Sequence, residues 1–210
     1  MKTKILLIFS KINIICFVIL FSLFYSQEKS TQKWDKGIVF GPNVSYFSRE
    51  LVNFSFGFKI GYFMKSNLNK ELTIHLEGNY SYKSANISAT YSIFDENNNL
   101  VDIFGVRPIA QMGSIDIPIM LKYKIYKKFF IEAGPQISFL LHSDFRDKYK
   151  NVLFPKNLFT KTQLYGNVGA GYNINTKLSV DILYEIGLSN SSKTLNTKTN
   201  TFGLNLYYKL

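Results

Sequence analysis

The stretch that decides the fold lies at the end of the chain and reads Phe202-Gly203-Leu204-Asn205-Leu206-Tyr207-Tyr208-Lys209-Leu210. Large apolar residues occupy every second position, and Gly203, Asn205 and Lys209 fall between them. Successive side chains of a β-strand point to opposite faces of its sheet. This segment therefore predicts a strand with one apolar face and one polar face.

The same period-two alternation recurs along the chain and predicts a set of eight strands. We place them at residues 36–47, 53–64, 71–83, 112–125, 128–142, 161–174, 177–189 and 198–210. Each segment keeps one consistent phase, and no sustained helical period occurs after the N-terminal stretch. The predicted fold class is all-β: an eight-stranded antiparallel up-and-down transmembrane β-barrel, preceded by a signal peptide.

The N-terminal stretch has the layout of a secretory signal. Lys2 and Lys4 precede an apolar run over residues 12–25, which is the order of the charged and apolar regions of a signal peptide. The run is shorter than the ~20 apolar residues of a spanning helix, so an uncleaved anchor is the less favoured alternative. We predict a signal peptide over residues 1–26 and one barrel domain over residues 27–210.

Alternation alone leaves open which face lies inside, because a soluble lipocalin-like barrel would bury the apolar face. Glycine distinguishes the two cases, since it weakens a strand in water but relieves crowding inside a narrow barrel. Only Gly78 and Gly166 fall on the apolar face within the strand centres. The polar face carries Gly41, Gly57, Gly61, Gly134, Gly169, Gly171, Gly187 and Gly203. The polar face is therefore predicted to be the interior.

Aromatic residues and connection lengths indicate a membrane location. With strands alternating in direction, Tyr62, Tyr123, Phe129, Tyr172 and Tyr208 fall at one level, and Tyr46, Phe54, Tyr80, Tyr82, Phe139 and Phe202 at the other. Two such belts, with short turns at one end and long loops at the other, are typical of outer-membrane barrels. Two runs inside the long connection over residues 84–111 predict a projecting hairpin. We predict the outer membrane of a Gram-negative bacterium.

Composition bounds the partners and cofactors. The formal net charge is +11, but the bases are spread over turns, loops and polar strand faces rather than gathered in one stripe. This distribution argues against a nucleic-acid partner and favours contact with outer-membrane lipid and lipopolysaccharide. Cys16, the only cysteine, lies in the predicted signal peptide. No Cys/His cluster suggests a metal, and no cofactor is predicted.

The predicted interior face carries ten charged or titratable side chains. They are Lys59, His75, Glu77, Asp116, Lys122, Lys124, Glu132, Asp181, Glu185 and Lys209. A charge removed from water costs several kcal/mol unless it is paired, so we predict acid–base pairs or a network across the lumen. About eight strands enclose just enough space for side chains to fill. A structural plug is the favoured interpretation, and a proton or ion path is the alternative.

An enzymatic role finds one candidate at the predicted rim. His142 ends the fifth predicted strand near Ser138, Ser143 and Asp144. A lipid-modifying barrel enzyme would need such a base beside a serine and an acid. No recognisable catalytic motif surrounds His142, so we predict no catalytic residue and a non-enzymatic protein. A lipid-modifying enzyme and a soluble periplasmic lipocalin-like carrier stay open as alternatives.

One segment also resembles a known family. Residues Ile115-Asp116-Ile117-Pro118-Ile119-Met120-Leu121-Lys122-Tyr123 are similar to the L-x-I-P-L-L-L-K-Y strand of the PorT-like outer-membrane β-barrel proteins. Later elements of that pattern are matched by Gly134-Pro135-Gln136 and Gly169-Ala170-Gly171-Tyr172. The resemblance implies a single outer-membrane barrel that supports protein secretion or envelope assembly, with envelope or secretion proteins as partners. A closed barrel has no free sheet edge, so we expect a monomer.

Overall fold

The computed structural model describes residues 33–48, 54–86, 89–95, 97, 100–106, 108–146, 158–192 and 194–210. The barrel unit runs from Trp34 to Leu210. The predicted signal peptide over residues 1–26 lies outside the described residues. In the described part of the chain, no helix is long and apolar enough to span a bilayer.

Ten strands make up the described structure. They are β1 (Asp35–Phe47), β2 (Ser55–Asn67), β3 (Leu72–Asn86), β4 (Ala89–Phe94), β5 (Leu100–Val106), β6 (Ile109–Tyr126), β7 (Phe129–Arg146), β8 (Thr162–Asn173), β9 (Leu178–Gly187) and β10 (Thr199–Lys209). Eight of them close into a barrel in the order β1-β2-β3-β6-β7-β8-β9-β10. Every neighbouring pair is antiparallel. The predicted eight-stranded antiparallel barrel is confirmed.

Strand β10, the last in the chain, closes the barrel by pairing with β1 on one side and with β9 on the other. Tyr208 lies opposite Ile38 of β1 on one side and opposite Leu178 of β9 on the other. The backbone N–H of Leu210 also donates to the carbonyl of Lys36 at 3.0 Å. The alternating C-terminal segment thus satisfies the edges of both neighbouring strands.

Strands β4 and β5 form a separate two-stranded sheet in the connection between β3 and β6. Their register pairs Ala89 with Val106 and Phe94 with Leu100. The hairpin predicted inside this long connection is therefore confirmed.

The apolar strand face points outward and the polar face points inward. Outward residues such as Leu204, Ile117 and Phe56 are 49%, 40% and 81% exposed, whereas the inward Asp116 and Asn205 are buried. A carrier of the lipocalin type would show the reverse arrangement, with an apolar lumen. The predicted orientation is confirmed, and the soluble-carrier alternative is wrong.

Most inward-facing glycines lie where neighbouring backbone is too close for a Cβ atom. A Cβ on Gly134 would meet the main-chain carbonyl of Ile119, and one on Gly41 would meet that of Leu204. A Cβ on the outward Gly78 would meet nothing within 4 Å. Inward glycines therefore let neighbouring backbone approach, as the crowding argument predicts.

Candidate functional site in the barrel lumen

The lumen has two unlike ends, and each is named here by the connections around it. The terminal end carries the start of β1, the end of β10 and the short turns over residues 68–71, 127–128 and 174–177. The loop end carries the longer connections over residues 48–54, 87–108, 147–161 and 188–198.

Toward the loop end, three charged side chains form what we call the outer cluster: Lys83, Asp116 and Glu185. The Lys83 Nζ atom lies 2.7 Å from Glu185 Oε2 and 3.0 Å from Asp116 Oδ2. Ser114 Oγ donates to the second Asp116 oxygen at 2.8 Å, and the Lys83 ammonium lies over the Tyr165 ring. All three charged groups are buried, so one cation bridges two carboxylates away from water.

A second cluster lies deeper toward the terminal end. Lys122 Nζ contacts Glu132 Oε2 at 3.0 Å and Asp181 Oδ2 at 3.6 Å. Asn205 Nδ2 donates to the other Asp181 oxygen at 2.7 Å. The Lys122 ammonium also lies 4.3 Å from the centre of the Tyr207 ring. Like Lys83, Lys122 is a single cation between two carboxylates.

Glu77 is the centre of the third cluster. Its Oε1 accepts a hydrogen bond from the Tyr207 hydroxyl at 3.0 Å, and its Oε2 accepts one from Asn79 Nδ2 at 2.7 Å. Lys59 Nζ and His75 Nε2 approach the same carboxylate at 3.9 and 3.3 Å. All five side chains are buried. The arrangement ties β2, β3 and β10 together across the lumen.

Eight of the ten predicted network residues lie buried in these clusters: Lys59, His75, Glu77, Asp116, Lys122, Glu132, Asp181 and Glu185. Lys124 and Lys209 lie instead at the terminal end. Lys124 is exposed, and Lys209 pairs with Asp35 at 2.7 Å while a third of its side chain stays accessible. Strand phase correctly predicts that both side chains are on the luminal side. It does not predict whether the lumen is packed or open at their level.

Sequence reasoning missed Lys83, the cation of the outer cluster. Lys83 has the same phase as His75 and Glu77 on β3, so the signal was present. The predicted strand ended at residue 83, whereas β3 continues to Asn86. Because β3 runs three residues past the predicted end, Lys83 lies inside the strand and its side chain is buried.

An apolar plug closes the loop end above the outer cluster. Phe159 stacks on Phe47 and Phe145, with ring centres 6.0 and 5.6 Å apart. The buried members of the plug are Phe47, Ala85, Ala110, Met112, Leu158 and Phe159. The backbone N–H of Thr160 donates to the carbonyl of Ser191 at 2.8 Å and holds this segment over the mouth.

The terminal end is open and forms a cavity of about 660 Å³, which we call the vestibule. Its floor is the cluster of Phe63, His75 and Tyr207, whose ring centres lie 5.0 to 5.5 Å apart. All three rings are buried. The vestibule is thus separated from the outer cluster by a layer of packed side chains.

The rim candidate His142 lies outside the lumen and is exposed. Ser138 is buried inside and accepts a hydrogen bond from Gln136 at 3.1 Å, while Asp144 accepts one from the backbone N–H of Phe145. Among the described residues, no hydrogen bond joins His142 to a serine or an acid, and no group of three His, Cys, Asp or Glu side chains is placed to hold a metal ion. The described geometry does not assemble a Ser-His-acid unit.

The match to one protein family supports this architecture. A family model described as an outer membrane protein β-barrel domain matches residues 25–193. No curated protein sequence matches the chain. The solved structure of Ail of Yersinia pestis is 13% identical and covers 85% of this chain and 99% of its own, with a TM-score of 0.44. Neisserial surface protein A is 10% identical, with coverages of 84% and 97% and a TM-score of 0.49.

Proposed function

We propose a function from one premise: this chain belongs to the family of outer membrane protein β-barrel domains. It lies in the outer membrane of a Gram-negative bacterium. Short turns of such barrels face the periplasm and long loops face outward, so we assign the terminal end to the periplasm and the loop end to the exterior. We further propose that residues 1–26 are a signal peptide removed on export.

We propose that the protein is a non-enzymatic interaction component of the envelope, built on a sealed barrel. The observation that carries this is the closure of the lumen: buried side chains run from the Phe63, His75 and Tyr207 floor to the plug around Phe159. A barrel with a closed lumen gives ions and solutes no path, so its two ends are the surfaces that bind other molecules. Outer-membrane lipid and lipopolysaccharide surround the wall, and envelope proteins are its proposed partners.

Support of protein secretion or envelope assembly is the proposed task. It rests on the PorT-like resemblance of residues 115–123, which form the middle of β6. In that segment Asp116 and Lys122 point inward into two charge clusters, and Ile117 and Leu121 face outward. Affinity isolation from native membranes with a reversible crosslinker tests the task. Recovery of secretion or assembly proteins is expected, and recovery of the barrel alone would contradict it.

Planar bilayer recording tests the sealed barrel itself. The purified full-length protein should insert without discrete steps of ion conductance, because charges and apolar rings fill the lumen at successive levels. Steady single-channel steps in potassium chloride would overturn the proposal and revive the ion path. The enzymatic alternative is tested separately with His142→Ala, which should leave acyl release from lipid substrates unchanged.

A further inference from the structure

The vestibule has a strong excess of positive charge. Eight lysines line it, and Glu71 is the single carboxylate among its lining residues. The Glu71 carboxylate accepts a hydrogen bond from the Tyr123 hydroxyl, and Tyr123 belongs to the outward face of β6. The lysines are Lys65, Lys70, Lys122, Lys124, Lys127, Lys128, Lys177 and Lys209. A concave site lined by one sign of charge concentrates ions of the opposite sign.

Not all of these lysines are oriented alike. The ammonium groups of Lys127, Lys128 and Lys177 lie over the rings of Tyr126, Tyr172 and Tyr208. Tyr126 and Tyr208 are exposed on the outer surface of the wall. These three lysines therefore lie at the rim, where lipid head groups are expected. They explain part of the basic charge without any ligand.

Lys65 and Lys124 differ from the rim lysines. Both lie on the luminal phase of their strands, β2 and β6, on either side of β3. Within the described chain, neither has a carboxylate within ion-pair distance, whereas Lys122 and Lys209 do. Two lysines on one wall of the vestibule can therefore pair with an anionic group of another molecule.

A second observation at the same wall is the state of His75. This side chain is 1% exposed and lies directly opposite Lys65 on the neighbouring strand. Its Nδ1 atom has no hydrogen-bond partner among the described residues. Buried polar atoms in native proteins are normally satisfied. The floor of the vestibule therefore contains a buried polar atom that no described residue satisfies, on the residue directly opposite Lys65.

We infer that the vestibule binds an acidic peptide segment of a periplasmic partner, with Lys65 and Lys124 as the main contacts. This inference deepens the proposed function and rests on it. A volume of about 660 Å³ lies within the range of ligand-binding cavities and is larger than one small oxyanion fills. Two carboxylates along one chain can pair with Lys65 and Lys124 at the same time.

The test is a binding titration with the full-length protein in phosphatidylcholine vesicles. The probe is a fluorescent poly-glutamate peptide, read by anisotropy, with poly-glutamine as the uncharged control. The double variant Lys65→Gln and Lys124→Gln should weaken binding about tenfold. The matched control, Lys127→Gln and Lys177→Gln, removes the same charge from the rim and should change affinity by less than about twofold.

Three results would overturn the inference. The first is that poly-glutamate does not bind at low salt, and the second is that both double variants lose the same affinity. The third is that pyrophosphate displaces the probe at a concentration equal to that of the peptide. The last result would assign the site to a small anion. Lys65→Arg with Lys124→Arg should restore binding, which separates loss of charge from loss of fold. If the peptide does not bind and conductance is still absent, this inference fails while the sealed-barrel proposal stands.

Discussion

Two lysines of the same lumen, Lys83 and Lys124, have opposite surroundings. Lys83 lies buried between Asp116 and Glu185 beneath an apolar plug. Lys124 lies exposed at the other end, with no carboxylate at ion-pair distance within the described residues. The packed and the open parts of the lumen therefore use the same residue type in different ways. Where the lumen is packed, Lys83 and Lys122 cross-link strands, and where it opens Lys124 faces a cavity.

The difference shows that luminal charge in a small barrel need not indicate a pathway. Where charges are buried, each cation in the two tightest clusters contacts two carboxylates, as at Lys83 and Lys122. Such pairing offsets desolvation and fixes the strands that carry the partners. Where the lumen opens, an ammonium group stays hydrated and needs no carboxylate partner to offset desolvation.

The largest expected effect comes from removing the buried cation. Lys83→Met leaves Asp116 and Glu185 without their ammonium partner, and breaking a buried pair in this way costs about 4 kcal/mol. Guanidinium unfolding of the barrel in lipid vesicles measures the loss. Lys124→Met is the matched control and should leave the unfolding midpoint unchanged. Equal stability of the two variants would mean that the packed and the open parts of the lumen do not differ as described.

The plug should give the next largest effect. Phe159→Ala removes a ring that stacks on Phe47 and Phe145, and truncating a core phenylalanine costs about 3 kcal/mol. Phe159→Leu keeps most of the apolar volume and should cost about 1 kcal/mol on the same scale. The measurement is the free energy of unfolding in vesicles. If Phe159→Ala cost no more stability than Phe159→Leu, the Phe159 ring would not be packed in the plug as described.

A pair of glycines tests the crowding of the wall. Gly134→Val places methyl groups against the Ile119 backbone, and overpacking of this kind costs about 2 kcal/mol. Gly78→Val adds the same groups to the open outer surface and should cost much less. Comparison of the two unfolding midpoints gives the answer. A larger loss for Gly78→Val would reverse the assignment of the two faces.

The smallest effect is expected at the terminal seam. Lys209 pairs with Asp35 at 2.7 Å across β10 and β1, but both side chains are partly exposed. Exposed pairs of this kind contribute less than about 1 kcal/mol. Lys209→Gln should therefore shift the unfolding midpoint only slightly, and salt should remove the difference. A loss as large as that of Lys83→Met would place the seam among the buried clusters.

Much of the wall could be predicted from the sequence, because strand phase is a local property. Gly134 and Gly78 were assigned to the correct faces by period-two counting alone, and β10 was placed within a residue of each end. The plug could not be predicted, because Leu158 and Phe159 lie outside the described strands and pack against residues distant in sequence, such as Phe47 and Ala85. Lys83 has the luminal phase of His75 and Glu77, but the predicted strand ends at residue 83 whereas β3 continues to Asn86.

The most direct test of the account is the water accessibility of two luminal serines, Ser81 and Ser179. Ser81 is buried among the clusters, and Ser179 lines the vestibule. With the proposed signal peptide over residues 1–26 removed, the chain has no cysteine, so Ser81→Cys and Ser179→Cys each introduce a single thiol. A membrane-impermeant maleimide should label Ser179→Cys in the folded barrel and Ser81→Cys only after unfolding. Rapid labelling of Ser81→Cys in the folded protein would contradict the sealed lumen.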